Sequence, residues 1–300
     1  MFRKLVAIEE IGLDQEHLEK VKQTAREYVA YPDTTLETQE IIRRIGDADG
    51  ALVSFTGKIT GDVIDACPNL KYIGMCCTLY DEKSANVDLA KARQRGIAVT
   101  GIRDYGDEGV IEYGISELIR LMHGFGDQMW KSRPSELTGV KAGILGMGRT
   151  GGMMADALRF FGAEVYYYSR TRKPEQEARG SRYLPLEELL QTVEIVSAHL
   201  NKNTILLHEK EFEQFGNGKI LLNTAIGPCF DLPALQNWLK NGKGNFYLCD
   251  GVAMDSMGDA LEGYQNAIHT LRCSGSSVQC TARLSQKVLE NIEAFLQSQK

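Results

Sequence analysis

The sequence predicts an α/β protein of two lobes, one of which carries a doubly wound parallel sheet. Short apolar strands alternate with helical stretches along the chain, and the apolar strand at residues 140–145 runs into Gly-x-Gly-x-x-Gly and then into a helix. The chain has 300 residues, of which 43% are hydrophobic. That is enough material for two cores.

In the first lobe, strands are expected at residues 4–7, 51–54, 72–75 and 98–100. A long helix follows, marked by apolar residues at helical spacing: Ile111, Ile115, Leu118, Ile119 and Met122. A final amphipathic helix is marked in the same way by Leu284, Val288, Ile292 and Leu296. We expect this last helix to pack on the first lobe, so that residues 1–100 and 271–300 form one domain.

Residues 101–270 are expected to form the other domain. The strand at residues 140–145 is followed by a helical segment and by a second strand at residues 164–168. Four more strand candidates follow, at residues 194–198, 219–223, 245–250 and 267–270. Six strands suit a doubly wound sheet.

The glycine loop predicts a dinucleotide site. In a loop of this kind Gly146 permits the tight turn, Gly148 lets the backbone approach a pyrophosphate, and Gly151 lets helix and strand pack closely. The intervening Met147, Arg149 and Thr150 lie at the helix N-terminus, where phosphate charge is stabilised. Because a strand and a helix flank the glycines in the required order, chance spacing is the weaker explanation.

Composition argues against nucleic acid or membrane partners. The net charge is −6 and the isoelectric point is near 5.5, whereas either partner favours a basic face. The N-terminus turns acidic at Glu9 and Glu10 before a signal-peptide core can form, which predicts a cytoplasmic protein. Seven cysteines without paired C-x-x-C spacing favour reduced thiols over a disulfide framework. We therefore expect small-molecule partners and no metal.

The residues after the second strand predict NADP as the cofactor. A carboxylate at this position would bind the adenosine ribose hydroxyls and select NAD. Here the strand is followed by Ser169, Arg170 and Thr171, and further basic residues come next. Cationic chemistry suits a 2′-phosphate, although a solvated basic loop, with NAD as the cofactor, is the alternative.

Several motifs occur in an order that resembles the D-isomer-specific 2-hydroxyacid dehydrogenase family. They are Asn86-Val87-Asp88-Leu89, residues 95–100 (Arg-Gly-Ile-Ala-Val-Thr), Leu137-Thr138-Gly139 before the glycine loop, residues 186–190 (Leu-Glu-Glu-Leu-Leu), residues 195–199 (Ile-Val-Ser-Ala-His) and residues 222–225 (Leu-Asn-Thr-Ala). The resemblance covers most of the chain.

The resemblance implies a Rossmann cofactor domain, a smaller flavodoxin-like substrate domain and a homodimer built through the cofactor domains. It implies an oxidoreductase that moves a hydride between a nicotinamide and the carbonyl carbon of a small 2-oxo acid. It also adds expected cofactor contacts beyond the glycine loop: His199, Leu200, Thr204, Thr224, Ala225 and Asp250.

The family's three catalytic residues are replaced in this chain. The substrate-binding arginine that follows Asn-Thr-Ala is Ile226, the glutamate three residues after Asp250 is Ala253, and the histidine is Arg272. Arginine cannot act as the acid because its pKa is above about 12. It can still bind a carboxylate or phosphate, and the alternative is an ordinary salt bridge to a neighbouring acid.

Other residues are candidates for the source of the proton or for contacts to substrate. Tyr80, Tyr105 and Arg103 are the tentative catalytic candidates beside Arg272, since they lie near segments that line the active site in the family. His199 and His269 are further proton-donor candidates, although each has an ordinary structural explanation.

Two functions therefore stay open: an NADP(H)-dependent oxidoreductase with altered catalytic residues, or a catalytically silent NAD(P)-binding sensor or scaffold. The altered residues favour a substrate other than a simple 2-oxo acid, for example an imine. A shifted alignment near residues 250–273 would let Asp255 replace the missing glutamate, but we expect Asp255 and Asp259 to face solvent.

Overall fold

The computed structural model describes residues 1–82, 85–201, 204–225 and 227–299, which form two compact units. The first unit comprises Met1–Tyr105 and Ser277–Lys300, and the second comprises Gly106–Ser276. Each unit contains one parallel sheet with helices packed on its faces. The expected α/β class is therefore confirmed.

The first unit has a five-stranded sheet with the strand order β2-β1-β3-β4-β5. Its strands are β1 Phe2–Ala7, β2 Ala25–Ala30, β3 Gly50–Val53, β4 Tyr72–Thr78 and β5 Ala98–Ile102. Its helices are α1 Gln15–Gln23, α2 Thr38–Ile45, α3 Gly61–Ala66, α4 Leu89–Gln94 and, from the C-terminal segment, α12 Val278–Ser298. The order is that of flavodoxin-like sheets.

Helices cover both faces of this sheet, and each face has its own apolar core. One cluster joins the strands to α2, α3 and α4 through residues such as Ile41 and Val63. The other joins them to α1 and α12 through Val21, Val288 and Ile292. Burial on both faces is the usual condition of a parallel sheet and explains its nearly continuous apolar strands.

The second unit has a seven-stranded parallel sheet with the order β12-β11-β10-β9-β6-β7-β8. Its strands are β6 Lys141–Leu145, β7 Glu164–Tyr168, β8 Arg182–Tyr183, β9 Ile195–Ala198, β10 Ile220–Asn223, β11 Phe246–Cys249 and β12 Ala267–His269. Its helices are α5 Asp107–His123, α6 Arg149–Phe160, α7 Pro174–Ala178, α8 Leu186–Thr192, α9 Glu209–Phe215, α10 Leu232–Asn241 and α11 Gly251–Asp255, with a 3-10 turn at Gly258–Leu261.

This sheet is doubly wound, because the strand order reverses beside β6. Consecutive residues of β6 face opposite cores: Ile144 belongs to one apolar cluster and Leu145 to the other. β6 pairs with β7 on one side and with β9 on the other. Ligands of open α/β sheets bind beyond the carboxyl ends of the strands at such a reversal. The residues that follow β6, β7 and β9 are therefore the first place to look for a site.

Two strands differ from the sequence-based expectation. The sequence predicts four strands in the first lobe and six in the cofactor lobe, but the structure adds β2 and β8, each at the edge of its sheet. Both lack a continuous apolar run, since an edge strand has one neighbour and is partly exposed.

Among the described residues, no helix has the length and apolarity needed to cross a membrane.

Candidate functional site

The three glycines of the loop after β6 meet three different steric demands. Gly146 has φ +92°, and a Cβ there would lie 2.5 Å from the carbonyl oxygen of His199 on the neighbouring strand end. A Cβ on Gly151 would collide with the carbonyl oxygen of Gly146. A Cβ on Gly148 would meet nothing within 4 Å. The first and third glycines are thus required by the fold, whereas Gly148 leaves open space in front of the loop.

The open space lies at the N-terminus of α6. Gly148 is the N-cap residue of this helix, and no side chain caps it. The first backbone N–H groups of a helix lack partners within the helix and carry partial positive charge. A phosphate group is the chemistry that such an uncapped end accepts. The residues present here therefore fit the pyrophosphate of a dinucleotide.

Arg149 and Thr150, which follow Gly148, are both held by the first turn of α5. The Thr150 hydroxyl donates to Oδ1 of Asp107 at 2.5 Å, and Arg149 Nε donates to Oδ2 at 3.0 Å. Glu108 Oε1 lies 3.7 Å from the Arg149 guanidinium. Sequence reasoning missed Asp107 and Glu108, although acidic residues in a first helical turn are a recognisable signal of a helix start.

The end of β7 lies directly beside the glycine loop, because the N–H of Gly146 donates to the carbonyl of Tyr168 at 2.9 Å. Ser169 is half-buried, and Arg170 and Thr171 are exposed. Across residues 1–82, 85–201, 204–225 and 227–299, Arg170 has no ion pair. Arg170 is therefore a cation available to a ligand at the end of β7.

The next arginine along the chain is engaged within the protein. Arg172 pairs with Glu177 through two contacts, and its guanidinium lies 5.2 Å from the centre of the Tyr183 ring. The Tyr167 hydroxyl also donates to Glu177, at 2.6 Å, and accepts from the N–H of Lys173 at 2.7 Å. Hydrogen bonds from Arg172 and Tyr167 lower the pKa of Glu177 to about 2. These contacts anchor the segment just beyond Arg170.

His199 follows β9, on the other side of the glycine loop. Its Nε2 lies 2.9 Å from the Ser197 hydroxyl. Burial lowers the pKa of His199 to about 4, against the opposing effect of the Asp107 carboxylate. The imidazole is neutral at neutral pH as a result, which removes the basis for His199 as a protonated acid. Nearby, Leu200 packs on an apolar core, and the Thr204 N–H donates to Asn201 at 3.2 Å.

The buried Asn223 shapes the loop after β10. Its Oδ1 accepts from the N–H of Ala225 at 3.2 Å, and its Nδ2 donates to the carbonyl of Gly227 at 3.3 Å. Thr224 and Ala225 are half-buried in this loop. Ile226, which the resemblance puts at the family's arginine position, lies outside the described residues.

Asp250, after β11, is buried, and both of its carboxylate oxygens already accept hydrogen bonds. One oxygen accepts from the N–H of Ala253 at 2.9 Å and so caps α11. The other accepts from the N–H and the hydroxyl of Ser274, at 2.8 and 2.7 Å. Asp250 therefore fixes residues 273–276 against α11. Ala253, which the resemblance puts at the family's glutamate position, is also buried and offers no ionisable group.

Arg272 lies beside Asp250 and α11. Its carbonyl accepts from the N–H of Gly251 at 3.1 Å, while its side chain is exposed. Within the described part of the chain, the guanidinium has no ion pair, so the salt-bridge alternative finds no partner there. Asp255 and Asp259 are exposed, as expected. His269 is exposed at the end of β12.

The other tentative catalytic residues belong to the first unit. Arg103 donates to the carbonyls of Leu79 and Tyr80, each at 2.7 Å, and its guanidinium lies 5.0 Å from the Tyr80 ring centre. Both side chains line a depression of about 540 Å³. Tyr105 accepts a hydrogen bond from Thr78 at 3.2 Å, and burial raises its pKa. Arg103 thus supports the segment that carries Tyr80, and Tyr105 is a weaker acid than an ordinary tyrosine.

The described residues contain no group of three His, Cys, Asp or Glu side chains placed to hold a metal ion. The polar groups of the second unit instead surround the loops after β6, β7, β9, β10 and β11. The structure therefore gathers the expected cofactor residues around one end of one sheet.

Comparison with known proteins identifies the family. Residues 117–270, just over half of the chain, match the family described as "D-isomer specific 2-hydroxyacid dehydrogenase, NAD binding domain". A hydroxypyruvate reductase of Blautia hydrogenotrophica is 29% identical over 294 residues, covering 90% of this chain and 89% of the relative.

Among solved structures, the TT0316 protein of Thermus thermophilus superposes with a TM-score of 0.84 at 25% identity, covering 98% of this chain and 97% of that one. An acyclic imino acid reductase in complex with NADPH and D-Arg superposes with a TM-score of 0.79 at 22% identity, covering 98% of this chain and 97% of that one. This last likeness shows a shared fold.

Proposed function

The chain belongs to the D-isomer specific 2-hydroxyacid dehydrogenase family, and from that premise we propose that it is an NADP(H)-dependent oxidoreductase acting on a small anionic substrate. A nicotinamide cofactor follows from the family's NAD-binding domain. Beyond the nicotinamide cofactor, our proposal includes a preference for NADP, an anionic substrate and the use of altered catalytic residues. The observation that carries them is a pair of exposed arginines, Arg170 and Arg272, beside the ends of two strands of the cofactor sheet.

The preference for NADP rests on the chemistry at the end of β7. Ser169 stands where a carboxylate would select NAD, and Arg170 is exposed beside it. The nearby carboxylate of Glu177 is neutralised by Arg172 and does not repel a phosphate. A guanidinium binds phosphate oxygens through two parallel hydrogen bonds. We assign Arg170 to the adenosine 2′-phosphate, with Ser169 and Thr171 as neighbouring polar contacts.

The substrate contact proposed for the second unit is Arg272. A fixed backbone supports it, since Asp250 holds Ser274 and the carbonyl of Arg272 accepts from Gly251. Its exposed guanidinium can bind a carboxylate, the group that the family's arginine normally holds. When bound, the nicotinamide supplies the hydride. The residues named here bind and orient the substrate.

The proton must come from a group other than the family's histidine. Arg272 stays charged at all relevant pH values, and His199 is neutral near pH 7 because its pKa is about 4. An imine that arrives already protonated needs no acid from the protein. We therefore favour an imine, or another carbonyl analogue with low demand for a proton donor, over a simple 2-oxo acid. Tyr80 and Tyr105 remain candidates as hydroxyl donors to the substrate.

The test is turnover with NADPH and a panel of 2-oxo acids, aldehydes and imines. Consumption of NADPH with at least one class supports the proposal, and the imines are expected to be the best substrates. A catalytically silent sensor is the second candidate, favoured by the buried Ala253, which leaves no carboxylate at the glutamate position. Tight NADPH binding without turnover on any member of the panel would establish the sensor instead.

We further propose a homodimer in a reducing, cytoplasmic environment. Six of the seven cysteines are buried, which suits reduced thiols packed as small core residues. The second unit exposes 72% of Phe125 and 85% of Phe160, which is apolar surface suited to a partner. Sedimentation equilibrium tests the dimer, which predicts twice the chain mass at micromolar concentration. A monomer at all concentrations would refute it.

A further inference from the structure

The first turn of α5 occupies the two side chains that should face the dinucleotide. Asp107 accepts from the Thr150 hydroxyl at 2.5 Å and from Arg149 Nε at 3.0 Å. The Asp107 side chain is only 13% exposed, whereas Arg149 is 52% exposed. Asp107 is therefore the fixed member of the group and Arg149 the movable one.

Thr150 and Arg149 each donate one proton to Asp107. A hydroxyl has one proton to donate, and the Nε of a guanidinium also has one. Both of these protons point to Asp107. A pyrophosphate bound at the N-terminus of α6 would receive the Thr150 proton only if that hydroxyl released Asp107. It would receive the Nε proton of Arg149 only if the guanidinium, which has four further N–H groups, turned away from Asp107. The carboxylate and the cofactor thus compete for the same donors.

The charges lead to the same conclusion. Asp107 and Glu108 place two carboxylates against the guanidinium of Arg149. These carboxylates stand next to the helix end that would bind a doubly charged pyrophosphate. Carboxylates at this position lower affinity for an anion, and most strongly at low salt.

We propose that Asp107 is a positioning residue that weakens dinucleotide binding, by holding Arg149 and Thr150 away from the pyrophosphate, and so speeds cofactor release. The proposal rests on the dinucleotide site at the glycine loop and is independent of the choice between NADP and NAD. Product release often limits turnover in well-evolved enzymes. Faster release is the advantage that would offset the lost affinity.

The direct test compares the wild type with Asp107→Asn, which removes the charge and keeps the shape. We expect NADPH and NADH both to bind about 3–10-fold more tightly, the range that one hydrogen bond of about 1 kcal/mol provides. Stopped-flow displacement of the bound dinucleotide should show that the gain comes from slower dissociation. Weaker or unchanged binding by the folded variant would overturn the proposal.

A second comparison separates competition for Arg149 from a general charge effect. In an Arg149→Ala background, Asp107→Asn should change affinity much less, because the main donor held by Asp107 is already gone. An equal gain in both backgrounds would overturn the proposal, since it would show that the carboxylate acts through its field alone. If Asp107→Asn does not fold, Asp107→Ser, which keeps a small polar side chain in the first turn of α5, tests the same prediction.

These measurements distinguish failure of this inference from failure of the proposed function. Dissociation of the dinucleotide is measured without substrate, so a catalytically silent protein gives the same result as an enzyme. Using both cofactors means that a wrong assignment of Arg170 does not change the outcome either.

Discussion

Arg172 and Glu177 form a two-point ion pair, with Nε 2.9 Å from Oε1 and Nη2 2.7 Å from Oε2. The pair joins Arg172, two residues before α7, to Glu177 within that helix, so the Arg172 guanidinium is already engaged. Arg170, two residues earlier, is left without an ion pair in the described residues and beside the end of β7. Two arginines that look equivalent in sequence therefore have different expected roles.

Replacing Arg170 with Ala should weaken NADPH binding by about tenfold or more, because a phosphate contact to a guanidinium contributes about 1.5–3 kcal/mol. NADH binding should change by less than about twofold. Arg172→Ala is the matched control, and it should affect both cofactors to a similar extent. Fluorescence titration of the reduced cofactors measures all four effects. Equal losses of NADPH and NADH in Arg170→Ala would reject the phosphate assignment.

The glycine loop offers a pair of substitutions with opposite expected effects. Gly148→Ala introduces a Cβ that meets no protein atom within 4 Å and keeps an extended backbone at φ −83°, so the melting temperature should not change. Dinucleotide binding should fall by at least about tenfold, which is about 1.4 kcal/mol, because the methyl group fills the space for the pyrophosphate.

Gly151→Ala should act on the fold instead. Its Cβ collides with the Gly146 carbonyl oxygen, and overpacking of this kind costs about 1–3 kcal/mol. Calorimetry of the two variants side by side checks the difference. A large loss of stability in Gly148→Ala, or none in Gly151→Ala, would contradict the geometry assigned to the loop.

Arg272→Ala should leave stability within about 0.5 kcal/mol of the wild type, because the side chain is exposed and forms no ion pair in the described residues. The KM for an anionic substrate should rise by about tenfold or more, and the KM for NADPH should not change. Arg272→Lys keeps the charge but loses the two-point contact, so its KM for the anionic substrate should lie between those of the wild type and Arg272→Ala. Unchanged substrate kinetics in Arg272→Ala would show that this arginine does not contact the substrate.

A histidine in the first unit should make stability depend on pH. His17 Nδ1 lies 2.8 Å from the Asp14 carboxylate, and Nε2 lies 2.9 Å from Gln286 Oε1 on α12. The hydrogen bond to Asp14 raises the pKa of His17, and the N–H of His17 lowers the pKa of Asp14. Protonated His17 therefore links α1 to α12 through its hydrogen bonds to Asp14 and Gln286.

The stabilisation from His17 is complete below its unfolded pKa of about 6.5 and is lost as the pH rises through the higher folded value. The contribution of Asp14 is lost only at acidic pH, as the pH falls through its lowered pKa. His17→Gln should consequently reduce the melting temperature more at pH 5.5 than at pH 8.5. Thermal melts at the two pH values check this, with Lys20→Gln as an exposed control. A larger loss at the alkaline pH would show that the sign is wrong.

The sequence predicted the fold class and the central strands because central parallel strands are buried on both faces and read as apolar runs. It missed β2 and β8 for the converse reason. β2 (Ala25–Ala30) has no fully buried residue, and β8 has only Arg182 and Tyr183. Each lies at a sheet edge, where pairing with a single neighbour, rather than a local apolar pattern, decides the conformation.

The candidate site was predictable only in part. The roles of Gly146, Gly148 and Gly151 follow from their spacing, since each role depends on backbone that the motif itself positions. The contact between Asp107 and Arg149 joins residues 42 positions apart in the sequence, and no local sequence pattern predicts such a contact. In the same way, only the folded chain shows that Asp250 is engaged by Ser274, or that Arg172 is paired while Arg170 is not.

The most direct test of the central claim is transfer of label from NADPH to substrate. Purified protein would be incubated with the panel of imines, aldehydes and 2-oxo acids and with NADPH carrying deuterium at nicotinamide C4, prepared separately in each of its two stereochemical positions. We expect a reduced product that carries one deuterium from one of the two preparations, as read by mass spectrometry. Binding of NADPH with no deuterated product from any substrate would contradict it.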